Sequence, residues 1–378
     1  MTQPWLHIVG IGEDGMDGLT PATRAVVEAA EIIVGGDRHH TLSNVAGAER
    51  VSWPSPFDAL IDQLQSYKGK RVVVLATGDP LWFSVGARIG RAIPADEITF
   101  HPQLSAFQLA SARMGWSMAD LETLTVHGRP VEQMIAFIQP DARLLILTTG
   151  AETPGQIARF LTERGFGRSP MTVFANMGGE NEKRFDALAE AWDHEVPAFN
   201  TLAVECVAAP DAALLPRVPG LADELFQHDG TMTKREVRAL TVAKLMPMRG
   251  ALLWDIGTGC GSVAVEWMRA ARYARAIGIE PRPDRRALAA ANALALGVPG
   301  EAVMGLVGPE FVGGTGALAF LLVAEVVAAT AVVSEAVLVY VARVRNLWIS
   351  IGTIALQAVL TVVLIKAMVA GGYGEPYK

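Results

Sequence analysis

The residues of this chain that are best suited to chemistry lie in a glycine-rich run, 257–261, which directly follows an apolar strand pattern. A second strand pattern ends at Glu280, where a carboxylate can accept hydrogen bonds from both hydroxyls of a ribose. Glycines at a strand-to-helix turn let backbone amides approach a bound ligand closely. The pattern predicts a nucleoside-type cofactor site formed by Gly257, Thr258, Gly259, Cys260, Gly261 and Glu280.

The spacing of this loop distinguishes between two kinds of cofactor. Ser262 stands where a dinucleotide-binding loop has its third glycine, so the run departs from the G-x-G-x-x-G pattern. This departure argues against a nicotinamide cofactor and favours S-adenosyl-L-methionine, the methyl donor of class I methyltransferases. We interpret Cys260 as a small loop residue rather than as a nucleophile.

A second glycine loop lies near the N-terminus, where Gly10, Gly12 and Gly15 follow a short strand pattern. This run does match G-x-G-x-x-G, but the helix begins later in the sequence. Thr20 as N-cap and Pro21 at the first helical position mark the predicted helix start. Because a dinucleotide loop opens directly into its helix, we expect a ligand-facing loop of a different kind.

A further strand pattern, 71–76, leads into the turn Gly78, Asp79 and Pro80. Such a turn exposes backbone groups that a ligand can approach. Strand patterns alternate with helical patterns along residues 1–210, which predicts an α/β architecture. At 378 residues, the chain is long enough for two or three domains.

Composition argues against several classes of function. The net charge of −7, with no basic block, argues against a nucleic-acid partner. Cys206 and Cys260 lie far apart, which fits a reducing compartment without a disulfide framework. The histidines lack metal-ligand spacing, so we predict no metal site and interpret His39-His40 as a polar loop pair. The N-terminus lacks the features of a signal peptide, and residues 1–300 are therefore predicted to be cytoplasmic.

The order of motifs along residues 1–210 resembles one family. Gly10-x-Gly12, Gly78-Asp79-Pro80, the helix AFQLASARMGW and His127-Gly-Arg-Pro130 follow one another as in the tetrapyrrole (corrin/porphyrin) methylases. Within that family, the combination is similar to the precorrin C5-methyltransferase branch of cobalamin biosynthesis. The resemblance implies a two-lobed α/β fold that holds S-adenosyl-L-methionine in the cleft between its lobes. It places Gly10, Gly12, Gly78, Asp79 and Pro80 beside the cofactor and a precorrin substrate.

The segment 215–300 resembles the N-terminal half of a second methyltransferase domain. TKREVRALTVAKL followed by WDIGTGCGSVAVEW is similar to the class I (Rossmann-like) precorrin C15-methyltransferase (decarboxylating) domain. That domain follows the C5 domain in bifunctional members of the family. The resemblance implies donor contacts at Thr233, at 257–261 and at Glu280. Thr233 with Glu236 three residues later also predicts a capping box at a helix start.

The sequence changes character after residue 300. A class I methyltransferase should continue with an adenine-facing loop and further strands, but two apolar stretches follow instead, on either side of Arg343 and Arg345. The second stretch is charge-free over 347–365, which is long enough to cross a bilayer. We predict an α-helical, membrane-like hairpin over 311–370, similar to part of a polysaccharide flippase, which would bring the chain to the inner membrane. We interpret it as a fusion, rearrangement or assembly error; a pair of soluble core helices is the alternative.

A precorrin substrate carries many carboxylates, so we expect cations near its site. The candidates are Arg113 and Arg129 in the first segment and Lys234, Arg235 and Arg238 in the second. Methyl transfer to an electron-rich macrocycle carbon depends mainly on alignment in a water-poor cleft. For this reason we assign no catalytic acid or base.

The sequence therefore predicts a homo-oligomeric methyltransferase that methylates a precorrin at C5. C15 methylation with decarboxylation is expected to be lost, because the adenine loop and the substrate strands do not follow residue 300. Two other classes stay open. One is a nicotinamide-dependent reductase, and the other is a membrane transport or scaffold protein whose soluble part is incidental.

Overall fold

The N-terminal part of the chain forms a parallel sheet from short runs of Val, Ile and Leu. The computed structural model describes residues 4–298, all within the unit Met1–Leu306. The strands of this sheet are β1 (Leu6–Ile11), β2 (Ile32–Val34), β3 (Glu49–Val51), β4 (Val72–Thr77) and β5 (Ile98–His101). Their order is β3-β2-β4-β1-β5, with every neighbouring pair parallel. The carboxyl ends of β1, β4 and β5 therefore meet at one edge, where open α/β sheets bind ligands.

Helices cover both faces of this sheet because its central strands are apolar on both sides. The helices are α1 (Pro21–Glu28), α2 (Asp37–Ser43), α3 (Leu60–Gln65) and α4 (Gly86–Ala92). Leu6 and Ile8 of β1 pack in a core cluster with residues of α3 and α4. Val9 and Ile11 point to the opposite face and pack with residues of α1 and α2.

A second sheet follows, in which parallel and antiparallel pairs are mixed. Its elements are α5 (Ala106–Met114), β6 (Glu122–Thr125), β7 (Arg143–Leu147), α6 (Thr153–Glu163), β8 (Pro170–Ala175), β9 (Lys183–Leu188) and β10 (Asn200–Glu205). The strand order is β6-β7-β10-β8-β9, with β6 parallel to β7 and the remaining pairs antiparallel. The predicted two-lobed α/β architecture is confirmed by these two sheets.

The segment after residue 215 adds a third, smaller sheet. Its elements are α7 (Arg235–Leu245), β11 (Leu252–Ile256), α8 (Ser262–Ala270), β12 (Arg275–Ile279) and α9 (Pro283–Ala295). β11 and β12 pair in parallel, and within residues 4–298 they are the two strands of this sheet. Trp254 and Ile256 of β11 are 58% and 51% exposed. One face of β11 is thus open in the part of the chain that the structure describes.

An apolar contact joins the second and third sheets, and a buried arginine holds the connection between them. Ile135 lies in the same core cluster as Trp267 and Leu296. Arg269 is buried and donates to the carbonyl oxygens of Leu215, at 2.8 Å, and of Leu296. Burial lowers the pKa of its guanidinium to about 10. The connection before α7 is therefore anchored at Leu215.

The structure confirms one predicted helix start and corrects two local predictions. Thr20 is the N-cap of α1, and its Oγ1 accepts the amide of Thr23 at 3.2 Å. In α7 the N-cap is Lys234, so the capping box predicted at Thr233 was wrong: the helix begins one residue too late for it. The His39-His40 pair lies inside α2 rather than in a loop.

The predicted membrane hairpin at 311–370 lies outside the described residues. Within residues 4–298, none of the helices combines the length and the apolar character that crossing a bilayer requires.

Candidate active site

The carboxyl ends of β1 and β4 approach so closely that only glycine fits at position 10. A Cβ atom added to Gly10 would lie 2.0 Å from the carbonyl oxygen of Gly78. Gly78 adopts a φ of +63° and donates its amide to the carbonyl oxygen of Ile11 at 3.0 Å. The structure therefore brings the two predicted residues Gly10 and Gly78 together at one edge of the first sheet.

Gly12, Asp79 and Pro80 extend this edge. A Cβ atom on Gly12 would lie 2.6 Å from Oδ1 of Asp14. Oδ1 of Asp79 accepts the amide of Leu81 at 2.7 Å, which closes a tight turn. The turn after β4 is thus fixed by its own contacts, so its backbone groups are held in place before a ligand binds.

Arg38 connects three elements around this edge. Its Nε donates to Oε1 of Glu13 at 2.6 Å, and its Nη1 donates to Oγ1 of Thr77 at 3.2 Å. The guanidinium carbon also lies 3.8 Å from the ring centroid of Phe199, which belongs to the loop before β10. Arg38 therefore bridges the first and second sheets beside the ends of β1 and β4.

His39 reaches the same threonine. Its Nδ1 accepts the amide of Gly36 at 3.2 Å, and its Nε2 lies 3.0 Å from Oγ1 of Thr77. Burial, followed by the charge of Arg38, lowers the pKa of His39 to about 4, so the ring is neutral at pH 7. A neutral ring whose Nδ1 accepts a hydrogen bond carries its proton on Nε2. His39 is therefore the donor to Thr77.

The glycine-rich loop after β11 is shaped by backbone hydrogen bonds. Gly257 and Thr258 donate their amides to the carbonyl oxygen of Ile279, at 2.8 and 3.2 Å. Gly257, Gly259 and Gly261 have φ values of +78°, +58° and +78°, which favour glycine. Among residues 4–298, apart from the chain neighbours of Gly257, no heavy atom lies within 4 Å of a Cβ atom built on Gly257, so these residues leave space beside the loop.

Glu280 anchors this loop from the end of β12. Its Oε2 accepts the amide of Gly259 at 3.1 Å, and its Oε1 accepts the amide of Arg282 at 3.0 Å. Glu280 is 6% exposed, so it is a buried carboxylate that is solvated by backbone amides. Each carboxylate oxygen retains a lone pair for a further donor such as a ribose hydroxyl.

Asn292 and Asp255 also hold the loop. The Nδ2 atom of Asn292, a fully buried residue, donates to the carbonyl oxygens of Cys260 and Gln227, both at 2.8 Å. Oγ1 of Thr258 donates to Oδ2 of Asp255 at 2.7 Å, and burial raises the pKa of that carboxyl. These contacts fix the loop backbone from both sides.

The edge of the first sheet and the glycine-rich loop after β11 fit S-adenosyl-L-methionine in different ways. At the second loop, the open space beside Gly257 and the remaining lone pairs of Glu280 suit a ligand that carries a ribose diol. At the first edge, the approach of Gly10 to Gly78 leaves no room for a side chain between the two loops. A ligand bound there would therefore meet backbone groups.

Four of the predicted substrate cations lie at or near the surface, with different partners. Arg129 is exposed in the loop after β6. Nζ of Lys234 lies 3.7 Å from a carboxylate oxygen of Asp223, and Nε of Arg235 donates to a backbone carbonyl. Arg113 is half-buried, and two of its nitrogens contact the carboxylate of Glu182. Of the two candidates in the first segment, Arg129 is thus the more available to a ligand.

The prediction that Arg238 binds substrate was wrong. Its side chain is fully buried, with Nε 2.8 Å from Oε1 of Glu266 and Nη1 2.9 Å from Oδ1 of Asp223. Nη1 also donates to the carbonyl oxygen of Thr233 at 2.7 Å. A guanidinium enclosed in this way cannot contact an external ligand. Arg238 instead fixes the segment before α7, including the predicted donor contact Thr233.

The cysteines of the described region are not activated. Cys206 and Cys260 are buried free thiols, and burial raises the pKa of both, to about 12 for Cys206. A thiol that stays protonated is a poor nucleophile, which supports the interpretation of Cys260 as a loop residue. Over residues 4–298, the structure forms no cluster of three or more His, Cys, Asp or Glu side chains that could hold a metal ion.

Two family models match the chain. The model described as Tetrapyrrole (Corrin/Porphyrin) Methylases matches residues 5–192, and the model described as Precorrin methyltransferase domain matches residues 224–361. The second match runs past residue 300, where the sequence alone suggested that the resemblance ends.

Similar proteins include enzymes that act on precorrins. The precorrin-6Y C(5,15)-methyltransferase (decarboxylating) of Sinorhizobium sp. is 40% identical over 329 residues, which cover 84% of this chain and 80% of the relative. The cobalt-precorrin-7 C(5)-methyltransferase of Salmonella typhimurium is 33% identical over 181 residues, 47% of this chain and 88% of the relative. A solved precorrin-6Y methylase from Archaeoglobus fulgidus is 24% identical, covers 53% of this chain and 97% of its own, and has a TM-score of 0.42. By its identity to the Sinorhizobium enzyme over most of both chains, this protein belongs to the precorrin-6Y C(5,15)-methyltransferase (decarboxylating) family and is a methyltransferase.

Proposed function

We propose that this chain transfers a methyl group from S-adenosyl-L-methionine to C5 of a precorrin in cobalamin biosynthesis, and that residues 1–210 form the domain responsible. The main support is the edge where Gly10 and Gly78 meet, which lies beside a contact between the two sheets. The Salmonella relative, which matches 47% of this chain, is itself named a C(5)-methyltransferase. A segment that matches 88% of that relative should therefore suffice for methylation at C5.

The residues of the cleft bind and orient in this proposal. When bound, S-adenosyl-L-methionine supplies an electrophilic methyl group on its sulfonium. Gly10, Gly12, Gly78, Asp79 and Pro80 present a preformed backbone surface to it. The exposed Arg129 can pair with a substrate carboxylate. Rate enhancement then comes from alignment of the two reactants, which is why the mechanism assigns no proton transfer to a side chain.

We also propose a second site for the methyl donor in the domain that begins near residue 215. Gly257, Thr258, Gly259, Cys260, Gly261 and Glu280 would form it, and Thr233 would lie at its border. The support is the buried Glu280 carboxylate, which is tied to the glycine loop and keeps lone pairs for a diol.

Whether this second domain completes C15 methylation is a separate question. We propose that it does not, because the strand patterns that should follow residue 300 are missing from the sequence. C15 methylation with decarboxylation is the second candidate function, and the family match over residues 224–361 favours it.

One experiment tests the proposals that the chain methylates C5 and that it does not methylate C15. The purified full chain is incubated with the precorrin substrate and S-adenosyl-L-methionine, and the product is analysed by mass spectrometry. We expect the addition of a single methyl group without loss of carbon dioxide. A product with two added methyl groups and one lost carboxyl group would establish the second candidate instead. An unchanged substrate would contradict the proposed function.

A further inference from the structure

We propose that the hydroxyl of Thr77 donates a hydrogen bond to a carboxylate oxygen of the tetrapyrrole substrate. The inference rests on the function proposed for residues 1–210, and it names a substrate contact that neither the glycine loops nor the predicted arginines provide. Thr77 is the last residue of β4 and directly precedes Gly78, so it lies at the edge where the cofactor and substrate are expected.

The hydrogen bonds that Thr77 receives determine what its hydroxyl can do. Nη1 of Arg38 lies 3.2 Å from Oγ1 of Thr77, and Nε2 of His39 lies 3.0 Å from the same atom. Arg38 can only donate. His39 also donates, because its Nδ1 already accepts the amide of Gly36 and the ring is neutral. A hydroxyl has two lone pairs and one proton, so both lone pairs of Thr77 are used and its proton must be directed elsewhere.

The surroundings leave that proton for a ligand. Within residues 4–298, no acceptor atom takes a hydrogen bond from the Thr77 hydroxyl. Thr77 is exposed, so a ligand can reach this hydroxyl. The two donors polarise the hydroxyl and strengthen it as a donor itself. Because α2 holds Arg38 and His39 next to each other, the hydroxyl is oriented before a ligand arrives.

Charge balance limits what this donor can bind. Arg38 is paired with Glu13 at 2.6 Å, so the cluster around Thr77 does not present an unpaired cation. The hydroxyl should therefore make a single directed hydrogen bond to an acceptor oxygen, while an exposed arginine such as Arg129 supplies the charge that attracts a polyanion.

A neighbouring aromatic ring favours the tetrapyrrole over the methyl donor as the source of that oxygen. Phe199 is 41% exposed, and its ring lies against the guanidinium of Arg38 that also contacts Thr77. The Phe199 ring thus offers a flat apolar surface near the Thr77 hydroxyl, and the Arg38 guanidinium lies between the two. This suits a ligand with a flat apolar face and carboxylates at its rim. The methyl donor also carries a carboxylate, so the experiment must distinguish the two sources.

The experiment compares three variants of the full chain. Thr77→Val removes the hydroxyl and keeps the shape, Thr77→Ser restores the hydroxyl, and Thr99→Val is the matched control. Thr99 lies on β5 and makes no side-chain hydrogen bond within the part of the chain that the structure describes. KM and kcat are measured for the precorrin, and the Kd of S-adenosylhomocysteine is measured by calorimetry. Thermal unfolding of each variant is recorded alongside.

We expect Thr77→Val to raise KM for the precorrin by roughly tenfold, the usual effect of losing one hydrogen bond to a charged group. Thr77→Ser should recover most of this loss, and the Kd of S-adenosylhomocysteine should stay within about twofold. If Thr77→Val leaves KM unchanged, the inference is overturned. If it weakens S-adenosylhomocysteine instead, the hydroxyl serves the methyl donor, and the inference is also overturned.

A replacement variant and a binding measurement deal with two complications, a loss of stability and a loss of activity. If Thr77→Val lowers the unfolding temperature, Thr77→Ala replaces it as the variant without a hydroxyl. If the unchanged protein fails to methylate the precorrin, the proposed function fails. Binding of the precorrin, followed by quenching of tryptophan fluorescence, then still decides whether Thr77→Val weakens the complex.

Discussion

The carboxylate of Glu280 and the backbone amide of Gly259 are joined by a hydrogen bond of 3.1 Å. This bond ties the end of β12 to the glycine-rich loop after β11, so the two parts of the predicted donor site form one unit. Because Glu280 also accepts the amide of Arg282, the same side chain fixes the start of α9. A substitution that breaks this bond should therefore impair ligand binding by the loop as well as by Glu280.

Glu280→Gln should abolish tight binding of the methyl donor at the second site. A glutamine has one acceptor oxygen, and its amide group would face a backbone amide that also donates. We expect the affinity of that site for S-adenosylhomocysteine to fall roughly tenfold or more. Calorimetry should then detect one site per chain instead of two. Asp284→Asn, which changes an exposed carboxylate near the same helix start, should retain both sites; equal stoichiometry in the two variants would contradict this role of Glu280.

Gly10→Ala should disrupt the first site because the new Cβ atom would lie 2.0 Å from the carbonyl oxygen of Gly78. Backbone must move to relieve this contact, at a cost of about 1–3 kcal/mol in unfolding free energy. Binding of S-adenosylhomocysteine to the first domain should be lost, while the second site remains. Gly155→Ala is the matched control, since Gly155 lies inside α6 and a Cβ atom there has only ordinary contacts. Its unfolding free energy should change by less than about 1 kcal/mol; a similar loss in both variants would refute the steric argument.

The ion pair between Arg238 and Glu266 should stabilise the second domain. Both side chains are buried, so Arg238→Met leaves a carboxylate without its cation and should cost about 3–5 kcal/mol. In the double variant Arg238→Met/Glu266→Gln, the loss should be smaller than the sum of the two single losses, with a coupling of about 1 kcal/mol or more. Urea unfolding measures these values. Additive losses would show that the two residues act independently.

Protonation of His39 should weaken the folded state at acidic pH. Its pKa is about 4 in the fold and 6.5 ordinarily, so between these values the unfolded chain binds the extra proton. The contribution of His39 to stability is therefore complete above pH 6.5 and decreases as the pH falls towards 4, by on the order of 2 kcal/mol. Burial also lowers the pKa of His7 and His101, so a variant in which His39 is replaced should keep part of this pH dependence.

Urea unfolding at several pH values between about 7 and 4.5 tests this prediction. His39→Gln should be less sensitive to pH than the unchanged protein over this range, because one buried neutral histidine has been removed. Identical pH profiles would show that His39 is not held neutral by the fold.

The sequence allowed the backbone parts of the candidate site to be predicted well. Gly10 lies near the end of one apolar strand and Gly78 directly follows another. Parallel strands bring their carboxyl ends to one edge, so the contact follows from the pattern. The late start of α1 was also predictable, because Thr20 and Pro21 carry local capping information. In contrast, β3 and β9 were not predicted, since both consist largely of polar and exposed residues.

The side-chain network was not predictable in the same way. Arg38 and His39 act on Thr77 only because β2 and β4 are neighbours in the sheet, which is a tertiary relationship. A signal did exist, since Arg38 and His39 follow the glycine pair after β2 and Thr77 precedes Gly78, all near the ends of adjacent strands. The misassignment of Arg238 has a similar origin. Its spacing on α7 does not reveal that Glu266 of α8 encloses it.

The most direct test of the proposed function is the position of the new methyl group. The full chain is supplied with the precorrin substrate and S-adenosyl-L-methionine labelled with carbon-13 in its methyl group, and the product is examined by carbon-13 NMR. We predict an enriched methyl signal at C5 and none at C15. A product enriched only at C15, or an unlabelled one, would contradict the assignment of C5 methylation to residues 1–210.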